Sequence, residues 1–180
     1  MRYLKYRILP IKDFENKHLK FNGRKCYVYE GDLNFLHQGA FNISFDIKTR
    51  VPRGERHCLF DTSGALSRNV GINIQIDNGL NGEFNNCLWC YITRGENIKP
   101  VIDIIANNKF PNDNKWHNIL ITYDNKVGKI YIDNELKMSS TTTGFKPSKE
   151  NSHNPLHIGC AGDESKFFTG ELKNMKINEE

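Results

Sequence analysis

Cys87-Leu88-Trp89-Cys90 has the spacing of a redox dithiol or half of a zinc site. Its surroundings argue against both. Redox chemistry wants the pair at a helix N-terminus after a strand, and here it lies inside an apolar, aromatic run. No second C-x-x-C or C-x-x-H pair completes a zinc shell. In such a run cysteine packs as a small hydrophobe, so structural thiols are expected. Cys, His and Asp are all present, yet no local signature joins them for nucleophilic hydrolysis. His117 follows Trp116 and reads as a structural histidine of a strand. Neither a phosphate-cradling glycine loop nor a dinucleotide fingerprint occurs.

A different chemistry that other residues of the chain could support is recognition. Sugars offer C–H faces to aromatic rings and hydroxyls to planar hydrogen-bonding groups. Asn73, Gln75 and Asp77 recur at every second residue and present a polar strand face. Asn85, Asn86, Trp89 and Tyr91 follow in the neighbouring segment. Together they form the candidate ligand surface. The competing assignment puts Trp89 in the core and leaves the asparagines as turn residues.

These groups must be carried by strands. Phe41, Ile43, Phe45 and Ile47 alternate with polar residues, as do Ile72, Ile74 and Ile76. Ile119, Ile121 and Tyr123 share one face. Alternation of period two places one face on a core and the other toward solvent or ligand. Turn chemistry separates the runs at Asn22-Gly23, Arg53-Gly54, Ser63-Gly64, Asn78-Gly79, Asn81-Gly82, Val127-Gly128 and Asp133-Asn134. Many short strands with regular turns predict a sandwich or barrel. Residues 139–154, rich in Ser, Thr, Lys and Pro, read as a long surface loop. Near the N-terminus, Leu4, Tyr6 and Ile8 alternate with Lys5 and Arg7, which suggests an extra strand or docked arm over residues 1–14.

The 180 residues suffice for one domain with a substantial core. A net charge of +4 with interleaved signs gives no footprint for nucleic acid. The most basic cluster, Arg50, Arg53, Arg56 and His57, reads as a solvated loop. No run approaches the ~20 apolar residues of a membrane span. Lys5 and Arg7 interrupt any secretory apolar region. Five cysteines (Cys26, Cys58, Cys87, Cys90 and Cys160) are an odd count without repeated spacing, so no disulfide framework is expected. Reduced thiols in a chain made in the cytoplasm without a signal peptide are the expected setting.

Several segments carry a resemblance. Trp116-His117 opens a strand, Tyr131-Ile132-Asp133-Asn134 makes a hairpin, and Pro155-Leu156-His157-Ile158-Gly159 follows. Phe168-Thr169-Gly170-Glu171-Leu172 begins the closing strand. Upstream stand Leu19-Lys20-Phe21-Asn22-Gly23 leading to Tyr27-Val28, then Phe41-Asn42-Ile43-Ser44, Leu59-Phe60-Asp61 and Gly71-Ile72-Asn73-Ile74. In this order they resemble a laminin-G-like domain of the concanavalin A-like lectin/glucanase superfamily, over residues 15–178.

The resemblance implies an all-β, antiparallel two-sheet jelly roll with Trp116 buried between the sheets. It implies non-catalytic recognition or adhesion, with a glycan or protein surface as partner and no nucleic acid or membrane. No cofactor is required, but calcium is a family possibility, for which Asp61, Asp77, Asp113, Asp163 and Glu164 are candidate ligands. Glycoside hydrolases of the superfamily place two carboxylates on one strand, about 5 Å apart in retaining enzymes. Glu30-Gly31-Asp32 supplies only the first half, and Asn34 and Phe35 stand where the second carboxylate belongs. The chain is therefore not expected to be an enzyme. Such jelly rolls also serve as bacteriophage decoration or fibre proteins, which makes a structural virion subunit the alternative expectation.

Overall fold

In a computed structural model of the chain, the described residues are 7–8, 17–29, 40–62, 70–94, 102–141, 155–163 and 165–179. They form thirteen strands, numbered in chain order, in two sheets. The first sheet contains β1 (Arg7–Ile8), β3 (Tyr27–Tyr29), β12 (Leu156–Ile158), β5 (Glu55–Asp61), β6 (Val70–Asn78), β7 (Cys87–Arg94) and β8 (Ile102–Ala106), in that spatial order. The second runs β11 (Glu135–Thr141), β10 (Val127–Ile132), β9 (Trp116–Tyr123), β4 (Phe41–Lys48), β13 (Thr169–Glu179) and β2 (Leu19–Asn22). Pairing is antiparallel except at one edge, where β1 lies parallel to β3.

The alternating segments do what their period demands. Phe41, Ile43, Phe45 and Ile47 of β4 turn inward, as do Ile72, Ile74 and Ile76 of β6 and Ile119, Ile121 and Tyr123 of β9. The sheets meet through contacts such as Phe45 on Phe60, with ring centroids 5.1 Å apart. Each fully buried side chain of this size stabilises by roughly 1.5–3 kcal/mol through removal of apolar area from water. The approach is close at Gly128, where an added Cβ would stand 2.4 Å from Ile104 Cδ1.

Five sequence expectations are corrected here. Cys26 and Cys160 are joined in a disulfide, while Cys58, Cys87 and Cys90 are free and buried. The pairing follows from topology, because antiparallel β3 and β12 set Tyr27 opposite Ile158. Trp116 is on the outer face of its sheet, not in the core: Ile119 and Ile121 point inward, so even-numbered residues of β9 point outward. Its ring lies beneath Lys173 Nζ at 4.2 Å and against the His18 ring. Val127-Gly128 is strand rather than turn. The hairpin bends at Asn125, which has positive φ, with Asp124 Oδ1 accepting from the N–H groups of Lys126 and Val127. Residues 139–141 belong to β11 and not to a loop. Finally, Asn73, Gln75 and Asp77 face away from the core as expected but are only 4%, 1% and 1% exposed. Ser63-Gly64, Leu4, Tyr6, Glu30 to Phe35 and residues 142–154 lie outside the described residues.

Candidate functional site

The outer face of the seven-stranded sheet is a lattice set by strand register. Asp61, Asn73, Tyr91 and Asp103 stand in one row across β5, β6, β7 and β8. Cys58, Gln75, Trp89 and Ile105 form the next, and Arg56, Asp77 and Cys87 a third. Trp89 and Tyr91 are half-buried, with ring centroids 5.2 Å apart, and Phe84 extends the aromatic row at 5.4 Å from Trp89.

Polar groups on this face divide into committed and uncommitted ones. Asp77 is committed: Oδ2 accepts from Arg56 Nε at 2.7 Å, and Oδ1 accepts from the N–H groups of Gly79 and Leu80. Arg56 in turn lies over the Trp89 ring at 5.4 Å. The Trp89 indole N–H donates to Asp103 Oδ1. Asp61 accepts from the Gly162 N–H at 2.7 Å. Asn73 Oδ1 and Gln75 Oε1, by contrast, are buried acceptors without a hydrogen-bond partner. A buried acceptor left unpaired costs about 1–3 kcal/mol, so two side by side make a strong demand for donors.

Of the sequence-predicted site residues, Asn73, Gln75, Asp77, Trp89 and Tyr91 share this face. Asn86 does not. It lies beyond the strand end, lining a cleft of about 760 Å³ with Asn78, Asn85 and Asn112 and the exposed Arg50 and Arg53. Asn78 and Asn112 are structural there, since both donate to the Val51 carbonyl. Phe84 and Asp103 escaped the sequence reading. A lone acid between Ile102 and Ile104 was the available signal for Asp103.

Cys87 and Cys90 point to opposite faces of β7, so they cannot act as a dithiol. Burial pushes the Cys87 thiol up to about 12, with Asp77 adding to the shift, and raises Cys58 and Cys90 as well. All three are expected to resist a thiol-alkylating reagent at pH 8 and to react fully once the chain is unfolded. Mass spectrometry of the two samples checks this.

On the other sheet, His117 is a clamp. Nδ1 faces Asp133 Oδ2 at 2.7 Å and Nε2 faces Asp113 Oδ1 at 3.0 Å. Burial alone would lower its pKa, but the two carboxylates reverse the sign and hold it above the ordinary value of 6.5. Both ring nitrogens donate when the ring is charged. Asp113 is held below its ordinary value of 3.8 chiefly by the His117 hydrogen bond. The clamp therefore contributes fully below the unfolded histidine value and fades as pH rises through the raised folded one. Its acid limit lies where pH falls through the lowered aspartate values. His117→Gln is expected to remove under about 1 kcal/mol near pH 6 and nothing near pH 9. Unfolding midpoints of both proteins across that range check the difference.

The calcium candidates do not fit one shell. Asp61, Asp77 and Asp113 hold the separate partners given above, and Asp163 accepts from the Ser165 N–H at 3.0 Å. Among the described residues these carboxylates form no group of three within ligand reach. Glu164 lies outside the described residues.

A family model of the laminin-G type, described as the concanavalin A-like lectin/glucanases superfamily, matches residues 22–179. The chain belongs to this family. Its laminin-G-like domain has the strand order and paired sheets just described. No curated protein matches it by sequence. Among solved structures it is similar to mouse laminin alpha1 chain domains LG4-5, with TM-score 0.58, 15% identity, and coverage of 92% of this chain and 40% of that one. It thus spans less than half the length of that laminin structure. It is also similar to the CBM40 domain of a Ruminococcus gnavus sialidase bound to α2,3-sialyllactose, with TM-score 0.64, 13% identity, and 83% and 84% coverage. A third is leech intramolecular trans-sialidase in complex with 2,7-anhydro-Neu5Ac, with TM-score 0.70, 14% identity, and 91% and 25% coverage. At these identities the likeness speaks for the fold.

Proposed function

We propose that this laminin-G-like domain is a non-catalytic glycan-recognition module, and that its binding face is the outer surface of the seven-stranded sheet. The observation that carries this is the pair of orphaned acceptors, Asn73 Oδ1 and Gln75 Oε1, beside the half-buried Trp89 and Tyr91 rings. Sugar hydroxyls would donate to the acceptors once the side chains enclosing them part, while a C–H face stacks on the half-buried rings. The match to a sialidase-associated module that holds sialyllactose supports a glycan partner. Asp61, Asp77 and Asp103 already accept hydrogen bonds from protein donors, which favours binding over acid–base chemistry. Displayed on a larger assembly such as a virion, the same face would serve adhesion.

A glycan array run with calcium and again with chelator tests the reading. Saturable binding to a defined sugar class in both conditions is expected. Binding that chelator abolishes would call for a metal in the site. No binding in either condition would overturn the proposal and leave a protein surface as the partner.

A further inference from the structure

The Cys26–Cys160 disulfide has a neighbour that packing alone does not require. One ligand atom each from Cys26, Cys160 and His157 falls within 4.8 Å of the others. Among the described residues no other set of three His, Cys, Asp or Glu groups gathers in this way. Both cysteines are buried, and His157 Nδ1 is buried without a hydrogen-bond partner. The three come from adjacent chain segments of one sheet: Cys26 precedes β3, His157 is the middle of β12, and Cys160 follows it. Their backbones are thus fixed by the ladder in which His157 pairs with Val28.

We infer that in its dithiol form this cluster binds a thiophilic divalent cation of the Zn²⁺ class through Cys26 Sγ, Cys160 Sγ and the His157 imidazole. A cellular thiol reductant supplies two electrons and two protons to the disulfide, breaking the S–S bond and leaving two thiols. The reductant leaves as its own disulfide. The cation then displaces both thiol protons to the solvent and accepts two thiolates and one neutral imidazole. Two thiolates and an imidazole are the donor set such an ion prefers, at about 2.3 Å to sulfur and 2.0–2.1 Å to nitrogen. Once the S–S bond opens, side-chain rotation lets the sulfurs separate to those positions. Ligation through Nδ1 would give that orphaned imidazole nitrogen the partner it otherwise lacks. The edge of the sheet would be stapled in either redox setting, by a covalent bond or by an ion.

The full chain, reduced with a phosphine, freed of it without oxygen and titrated with Co²⁺, tests this. The expected result is one equivalent bound, with a near-ultraviolet thiolate-to-cobalt charge-transfer band that Zn²⁺ displaces. The disulfide form should give no band. Cys160→Ser should abolish it, and His157→Gln should weaken binding at least tenfold. If Cys160→Ser fails to fold, the comparison of reduced with oxidised protein and the His157→Gln variant still decide. No band in reduced protein overturns the inference. So does a band that survives Cys160→Ser, which would belong to Cys58, Cys87 or Cys90, or one unchanged by His157→Gln.

Discussion

Trp89→Ala is expected to weaken the proposed glycan binding by about 30-fold or more, the loss that follows when a central aromatic anchor worth about 2 kcal/mol is truncated. In the proposed site the ring would supply the stacking face, and it organises its neighbours. Arg56 lies over it, Phe84 and Tyr91 flank it, and Asp103 accepts its N–H. Trp89→Phe should retain part of the affinity, because the face survives while the hydrogen bond to Asp103 does not. A companion substitution separates binding from folding. Gln75→Met keeps the side-chain volume and removes the orphaned acceptor. It is expected to leave unfolding stability unchanged or higher, since the desolvation cost of Oε1 disappears. Binding should nevertheless weaken. Isothermal titration against the best sugar from the array, with urea melts of the same samples, reads both effects. If Trp89→Ala binds like the parent, the face is wrong, and the cleft beside Arg50 and Arg53 becomes the site to mutate.

Gly159→Ala is expected to be the most damaging small substitution in the domain. Gly159 has φ +85°, a region that residues bearing a Cβ rarely occupy. A methyl group there would stand 2.2 Å from Phe21 Cε1. The Phe21 ring cannot retreat easily, because Tyr27 and Phe168 pack against it at 5.5 and 5.2 Å. The backbone is fixed too: the Gly159 N–H donates to the Leu59 carbonyl, and its own carbonyl accepts from the Phe168 N–H. Backbone strain and overpacking each cost about 1–3 kcal/mol, so a total near 4 kcal/mol is expected. For a domain of this size that lowers the melting temperature by about 10 °C. A scanning calorimetry shift below about 3 °C would mean that the 159–168 turn can rearrange at little cost.

Period was the most legible property of the sequence. Phe41 to Ile47, Ile72 to Ile76 and Ile119 to Tyr123 face the core as alternation requires. The same parity places Trp116 outside, and it was the family resemblance that pointed the wrong way. Parity also separates Cys87 from Cys90 across the sheet. Burial was less legible than facing. Asn73, Gln75 and Asp77 lie on the outer face, yet nothing in their own strand reveals that they are enclosed. The Cys26–Cys160 bond was invisible for a related reason. It spans 134 positions, and only the pairing of β3 with β12 brings its ends together. Asn86 was assigned to the shelf by sequence proximity, while the strand end carries it to the cleft.

The position of β13 has a consequence for synthesis. This last strand is inserted between β4 and β2, both early in the chain order, and pairs with β4 along seven residue partners. While the ribosome is still adding residues 169–179, β4 has one open edge and its row of Phe and Ile side chains lacks a neighbour. Nascent chains on one message would then present the same sticky strand to each other. Factors that shield extended apolar segments should therefore matter more to the yield of this domain than to its stability once complete. Slowing translation before residue 169 should lower soluble yield.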